Sequence, residues 1–306
     1  MENIKLFNST IPVKACLCSS EKIFIPCKPA LRLYIKLTDG CIANCPFCAN
    51  ENTKDNGNVD IDKLMYVINY LYEKTYLHSV SFTGGEPMLE VDKMFKLMDR
   101  IYKLNERINI QISTSGYNLQ ELSNYDKINN LESIHVSHHH YDEEKNREIF
   151  NSKKSATLED IARLQEKLID KKIININTIV MKGYIDSLKE IKRNLDYVAE
   201  IGVYKNGFVS LMKCNQYAKD RFINFNDIFN NLDDNFSRGH HFYLEDYCEC
   251  VDGIYLTTNN KLVEYYARMV TEATCPYVTK LVYTSDNRLL DDFSGKEIDY
   301  QKSKTL

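Results

Sequence analysis

The sequence predicts an α/β protein built on a parallel sheet. Three observations carry the prediction. From residue 31 onward, strand-like and helix-like segments alternate, the pattern of β–α units laid on a parallel sheet. Each short motif with chemical character falls at the C-terminal end of a strand-like segment, the rim where parallel architectures place their chemistry. After about residue 240 the alternation stops, and hairpin-like segments mark a smaller α+β region.

The elements follow in order. LRLYIKLT (31–38) reads as a buried strand. In IDKLMYVINYLYEK (61–74), Ile61, Leu64, Met65, Ile68, Leu71 and Tyr72 fall on one helical face. HSVSFTGG (78–85) is a strand ending in glycines, VDKMFKLMDRIYKL (91–104) a helix, and INIQISTSG (108–116) and ESIHVSHHH (132–140) are strands. Asp142 to Glu144 read as the acidic opening of a helix. Leu158, Ile161, Leu164 and Leu168 mark a helix, and IININTIVMKG (173–183) a strand. Leu188, Ile191, Leu195 and Val198 mark the next helix, and GFVSLMKC (207–214) is the sixth strand. A doubly wound sheet and a partial barrel both satisfy this pattern. Beyond it, residues 247–269 read as a hairpin turning at Asn259-Asn260, and residues 279–295 as one turning at Asp286-Asn287.

A chain of 306 residues accommodates one full-size catalytic domain with a small appendage, or two modest domains. The net charge of -4 gives no reason to expect nucleic acid as a partner. No run of about 18 apolar residues occurs, so no membrane span is expected. The opening MENIKLFNSTIPVK lacks the apolar core and cleavage site of a signal peptide. Ten cysteines without such a signal point to metal or redox use in a reducing, cytoplasmic compartment rather than to disulfides.

Three of those cysteines, Cys41, Cys45 and Cys48, share the loop CIANCPFCAN (41–50). Soft thiolates in a tight loop select zinc or an iron–sulfur cluster. Structural zinc normally takes four ligands in a closed site. Three ligands to a four-iron cluster leave one iron open for a substrate or cofactor. Gly84 and Gly85 let backbone carbonyls approach a ligand ammonium, Glu86 reads either as a charge partner or as a helix-opening acid, and Pro87 fixes the turn.

The C-x3-C-x2-C loop, with Phe47 before its last cysteine, resembles the signature of the radical S-adenosylmethionine (SAM) superfamily, and TGGEP (83–87) resembles that family's glycine-rich SAM-amine motif. The resemblance covers about residues 31–215. It implies a partial (β/α)6 TIM-like barrel over 31–235, after an N-terminal extension over 1–30. It implies a [4Fe-4S] cluster on Cys41, Cys45 and Cys48, whose open iron chelates SAM. One electron, from a reductant such as flavodoxin or ferredoxin, then cleaves SAM to a 5′-deoxyadenosyl radical that abstracts a substrate hydrogen atom. Phe47, Gly84, Gly85, Glu86, Pro87, Ser113, Ser115, Ser137 and Asn177 are the implied SAM contacts. Thr114 is a neighbouring candidate, and Asn175 shares the strand face of Asn177.

Cys248, Cys250 and Cys275 resemble the twitch form of an auxiliary-cluster domain, here a small α+β extension over 236–306, with Cys214 as a candidate fourth ligand of a second [4Fe-4S] cluster. The C-x-C spacing departs from the usual pattern, and buried unmetallated cysteine is the competing reading. Cys214 is also a candidate hydrogen donor to a product radical. Cys16, Cys18 and Cys27 read as single buried cysteines. His139 and His140, at the fourth strand's end, are candidate substrate contacts. A twitch-like tail points to a ribosomally made peptide as substrate. The alternatives are a small metabolite or nucleotide, and a glycyl-radical activase. The ending QKSKTL lacks the glycine–arginine tail of the molybdopterin cyclase.

Overall fold

A computed structural model describes residues 2–13, 30–50, 57–169, 173–224, 227–228, 237–239, 253–258, 261–266, 278–293 and 295–300. The chain opens with the antiparallel hairpin β1 (Glu2–Leu6) and β2 (Ser9–Val13), which no periodic signal in the sequence announces. There follow β3 (Ala30–Lys36), α1 (Ile61–Lys74), β4 (Tyr76–Thr83), α2 (Val91–Leu104), β5 (Asn109–Thr114), β6 (Ser133–Ser137), α3 (Glu143–Phe150) and α4 (Leu158–Lys167). Then come β7 (Ile174–Val180), α5 (Leu188–Glu200), β8 (Lys205–Ser210) and α6 (Gln216–Arg221), and finally β9 (Ser237–Gly239), β10 (Gly253–Thr258), β11 (Lys261–Tyr266), β12 (Lys280–Tyr283) and β13 (Leu289–Leu290).

The helices start where the sequence supplies caps. Asp60 accepts from Asp62 N and Lys63 N at the head of α1. Asp142 accepts from Glu144 N and Lys145 N at the head of α3, so the acidic run opens a helix as expected. Thr157 and Asp160 form a reciprocal capping box on α4. The six central strands end two to four residues earlier than the apolar pattern indicates. Gly84 (φ 129) and Gly116 (φ 83) take backbone conformations that leave the extended region. The chemistry-bearing residues past the strand ends therefore sit on turns.

The molecule divides into two compact units. The first comprises Met1–Gly40, Thr53–Ile112 and Cys275–Leu306. In it β3, β4 and β5 run parallel, with Ile35 beside Phe82 and Phe82 beside Ile112. One face of these strands, carrying Leu33, Ile35, Val80, Phe82, Ile110 and Ile112, is completely buried. On its other edge β3 pairs in parallel with β12, Arg32 beside Lys280. β12 turns back into β13 with Asn287 in the left-handed region at φ 64, so the second predicted hairpin is present.

The second unit comprises Cys41–Asn52 and Ser113–Thr274. Here β6, β7 and β8 run parallel, and Ser137, Asn177 and Gly207 stand in one row. β11 adds in parallel to β8 and pairs antiparallel with β10, the first predicted hairpin. β9 pairs antiparallel with β10. The stretch expected as one C-terminal region thus contributes β9 to β11 to one unit and β12 and β13 to the other. In both places an added strand satisfies a sheet edge. A buried polar chain ties this unit together: Asn194 Nδ2 donates to Asn206 Oδ1 (3.0 Å), Asn206 Nδ2 to Thr178 Oγ1 (3.2 Å), and Thr178 Oγ1 to His138 O (2.8 Å). Among the described residues no helix is long and apolar enough to cross a membrane.

Candidate functional site

Cys41, Cys45 and Cys48 occupy the loop after β3. Cys48 N donates to Cys45 O (3.0 Å), closing a tight turn, and Ala43 N donates to Cys41 Sγ (3.4 Å). Asn44 N donates to Phe150 O (3.0 Å), and the Cys45 thiol lies 3.9 Å from the same oxygen. Phe150 ends α3, where helix carbonyls lack intrahelical partners. The loop supplies them. Cys41 and Cys45 are half-buried, Cys48 is exposed, and neither these nor Cys214 is in a disulfide.

Burial pushes the Cys45 thiol up to about 12, with the charges of Cys48 and Cys41 adding to it. Among the described residues no three His, Cys, Asp or Glu side chains are already gathered about a single metal position, but three thiols on one short loop are soft donors of the kind iron–sulfur clusters take. The donor set fits an iron–sulfur cluster held by three protein ligands, all from this loop.

Phe47 packs beside the buried cluster Ile149, Ile179, Met181, Leu211 and Ala218. Its ring meets His139 edge-on (5.7 Å, 74°), and His139 stacks on Phe150 (4.6 Å, 18°). His139 is only 5% exposed and accepts from Ile179 N through Nδ1 (3.4 Å). His140 is fully buried; its Nδ1 accepts from Asp142 N (2.9 Å), while Nε2 has no partner. Both histidines lie in packing, where the sequence placed them at an open rim. Burial drives His140 down to about 4, with Lys145 acting in the same direction.

Behind the loop, Cys214 Sγ lies 3.6 Å from Phe47 O and 3.8 Å from Cys48 O. Asn215 Nδ2 donates to Pro46 O (3.0 Å). Sequence reasoning passed over Asn215 and Phe150. Asn215 is legible as a helix cap, but its contact with a loop 169 positions earlier leaves no local trace.

In the first unit the glycine turn is built against residues 38–40. Gly85 N donates to Thr38 O (2.9 Å) and Glu86 N to Gly40 O (2.8 Å). A Cβ on Gly85 would stand 2.0 Å from Gly40 O and 2.6 Å from Asp39 O, and one on Gly84 would stand 2.5 Å from Thr38 O. The glycines are thus required by neighbouring protein carbonyls as well as by any ligand. Glu86 is completely buried; its Oε1 accepts from Met88 N (3.1 Å), capping the short turn that begins at buried Pro87. The helix-opening reading of Glu86 describes this geometry.

The remaining candidates lie at strand ends. Ser113 and Ser115 are half-buried, whereas Thr114 is buried and accepts from Gly116 N (2.9 Å). Ser137 and Asn177 are register neighbours, both half-buried, and Asn177 O accepts from His138 N (3.0 Å). Asn175 is buried and its Oδ1 lacks a partner. Cys16, Cys18, Cys27, Cys248, Cys250 and Cys275 lie outside the described residues.

The family model described as the Radical SAM superfamily matches residues 35–209, more than half of the chain. The chain belongs to the radical SAM superfamily. This family uses a [4Fe-4S] cluster and SAM. A GTP 3',8-cyclase from Aquifex aeolicus is 28% identical over 169 residues, covering 52% of this chain and 50% of the cyclase. The chain spans about half the length of such curated relatives. Among solved structures, Streptococcus suis SuiB bound to S-adenosylmethionine superposes with a TM-score of 0.59 at 14% identity, over 91% of this chain and 65% of SuiB. SuiB bound to the precursor peptide SuiA gives 0.57 at 14% identity, over 90% of this chain and 63% of SuiB. At such identities the likeness is one of fold: a mixed α/β architecture with a parallel sheet.

Proposed function

We propose that this chain is a radical SAM enzyme in which Cys41, Cys45 and Cys48 hold a [4Fe-4S] cluster. The observation that carries the reading is the placement of three thiols on one tight turn after β3, in a chain of this family. A bound cluster and SAM supply reductive cleavage of SAM and hydrogen-atom abstraction. The chain's own residues prepare for this. The loop offers three thiolates and so leaves one iron position to SAM. Phe47, His139 and Phe150 form an aromatic wall against one side of the loop. Gly84, Gly85, Glu86 and Pro87 fix the turn assigned to the SAM amine. Ser113, Ser115, Ser137 and Asn177 offer hydroxyl and amide groups to its carboxylate and ribose.

The finer architecture proposed is a partial (β/α)6 barrel over 31–235 with a twitch-like extension over 236–306, in which Cys248, Cys250 and Cys275, with Cys214, hold an auxiliary cluster. Cys214 has a second proposed role as hydrogen donor, while His139 and His140, expected as substrate contacts, are packed in the interior. A flavodoxin or ferredoxin in the cytoplasm is the proposed reductant. The proposed substrate is a ribosomally made peptide, on the strength of the cysteine-bearing tail. The second reading is a nucleotide, favoured by sequence relatives named GTP 3',8-cyclase.

The test is iron and sulfide content on anaerobically reconstituted protein, beside a Cys41/Cys45/Cys48 triple alanine variant, with dithionite-driven 5′-deoxyadenosine release. About four irons lost in the variant supports a single cluster. About eight, with four surviving the triple change, supports the auxiliary cluster as well. Zinc without SAM cleavage overturns the reading. Release stimulated by GTP rather than by peptides favours the nucleotide.

A further inference from the structure

We infer that Asn215 is a positioning residue for the cysteine loop, acting as a two-ended clamp. This rests on the reading that the loop binds a cluster. Asn215 stands at the junction between β8 and α6. Its Oδ1 accepts from Ala218 N (2.9 Å), capping α6, so the amide is held in one orientation. Its Nδ2 is thereby directed at Pro46 O (3.0 Å), in the turn between Cys45 and Cys48. Cys214, the preceding residue, brings its thiol 3.6 Å from Phe47 O and 3.8 Å from Cys48 O. Three consecutive loop carbonyls thus face one junction.

The opposite side of the loop is held at the end of α3, through Asn44 N to Phe150 O (3.0 Å) and the Phe47–His139–Phe150 stack. Between these two holds the backbone of residues 44–48 has little freedom, while the thiols have no covalent partner. That division suits a loop whose sulfurs must meet a preformed cluster in fixed geometry. An amide is needed because one end must accept and the other must donate. Aspartate matches the shape and keeps the cap, but it cannot donate to Pro46 O. Asn215→Asp therefore separates clamp from cap, and Asn215→Ala removes both.

The experiment uses reconstituted holoprotein and apoprotein of wild type, Asn215→Asp and Asn215→Ala. Iron release to a ferrous chelator is timed in the holoproteins. Alkylation of Cys45 by iodoacetamide is followed by mass spectrometry in the apoproteins. The lost hydrogen bond predicts that Asn215→Asp releases iron and alkylates Cys45 each about five-fold faster than wild type. Its apoprotein should melt with the wild type, whereas Asn215→Ala should melt lower. Wild-type rates in Asn215→Asp overturn the clamp. A wild type that binds no iron, with alkylation still accelerated in Asn215→Asp, removes the cluster reading and keeps the clamp.

Discussion

The glycine turn at 84–87 and the cysteine loop at 41–48 are held in opposite ways. The turn is fixed by backbone: two main-chain hydrogen bonds and glycine Cα atoms pressed against carbonyl oxygens. The loop has two main-chain hydrogen bonds as well, but it is also held by side chains: Phe150 at the end of α3, His139 after β6, and Asn215 in the turn before α6. A turn held by its own backbone tolerates almost no added atom. A loop held by side chains can be loosened one contact at a time, and its thiols remain available.

The sharpest way to break this contrast is Gly85→Ala. The new Cβ would meet main-chain atoms that cannot rotate away. A loss of about 3 kcal/mol or more in denaturant-derived stability is expected. A loss under about 1 kcal/mol would show the turn to be soft. Phe47→Ala, on the loop, should cost about 1–2 kcal/mol in the apoprotein, because a half-buried ring is removed and neighbours can settle inward. If it equals the glycine effect, the loop is as rigid as the turn.

Acid gives the most local effect. His140 falls from 6.5 to about 4 on folding, chiefly through burial, with Lys145 and His138 lowering it and Asp142 and Glu190 opposing. The unfolded chain then binds a proton that the folded chain refuses. Stability from this group is complete above about pH 6.5 and lost as pH falls toward about 4. Hydrogen exchange should loosen residues 138–146 over that window while leaving 84–88 unchanged. His140→Asn keeps an acceptor for Asp142 N and should flatten the response.

Much of this was legible in the sequence. α1 and α2 occupy the residues their apolar periodicity marked, because a helix repeats the same rule at every turn. Cys41, Cys45, Cys48 and the TGGEP turn were legible because their spacing is itself the chemistry. The β1–β2 hairpin was not, since five-residue strands carry too short an alternation. Strand ends were overrun because apolar residues such as Met181 and Leu211 continue past the pairing as buried turn residues. The burial of His139 and His140 and the reach of Asn215 depend on distant partners, which no local pattern encodes.

The parallel pairing of β12 with β3 has a consequence for synthesis on the ribosome. Arg32 leaves the ribosome about 250 residues before its partner Lys280. Until β12 emerges, one margin of nascent β3 has no native neighbour, and it stays open to other chains. Folding of that unit therefore cannot finish until β12 has left the ribosome. A nascent chain stalled before residue 280 would leave that margin of β3 uncovered.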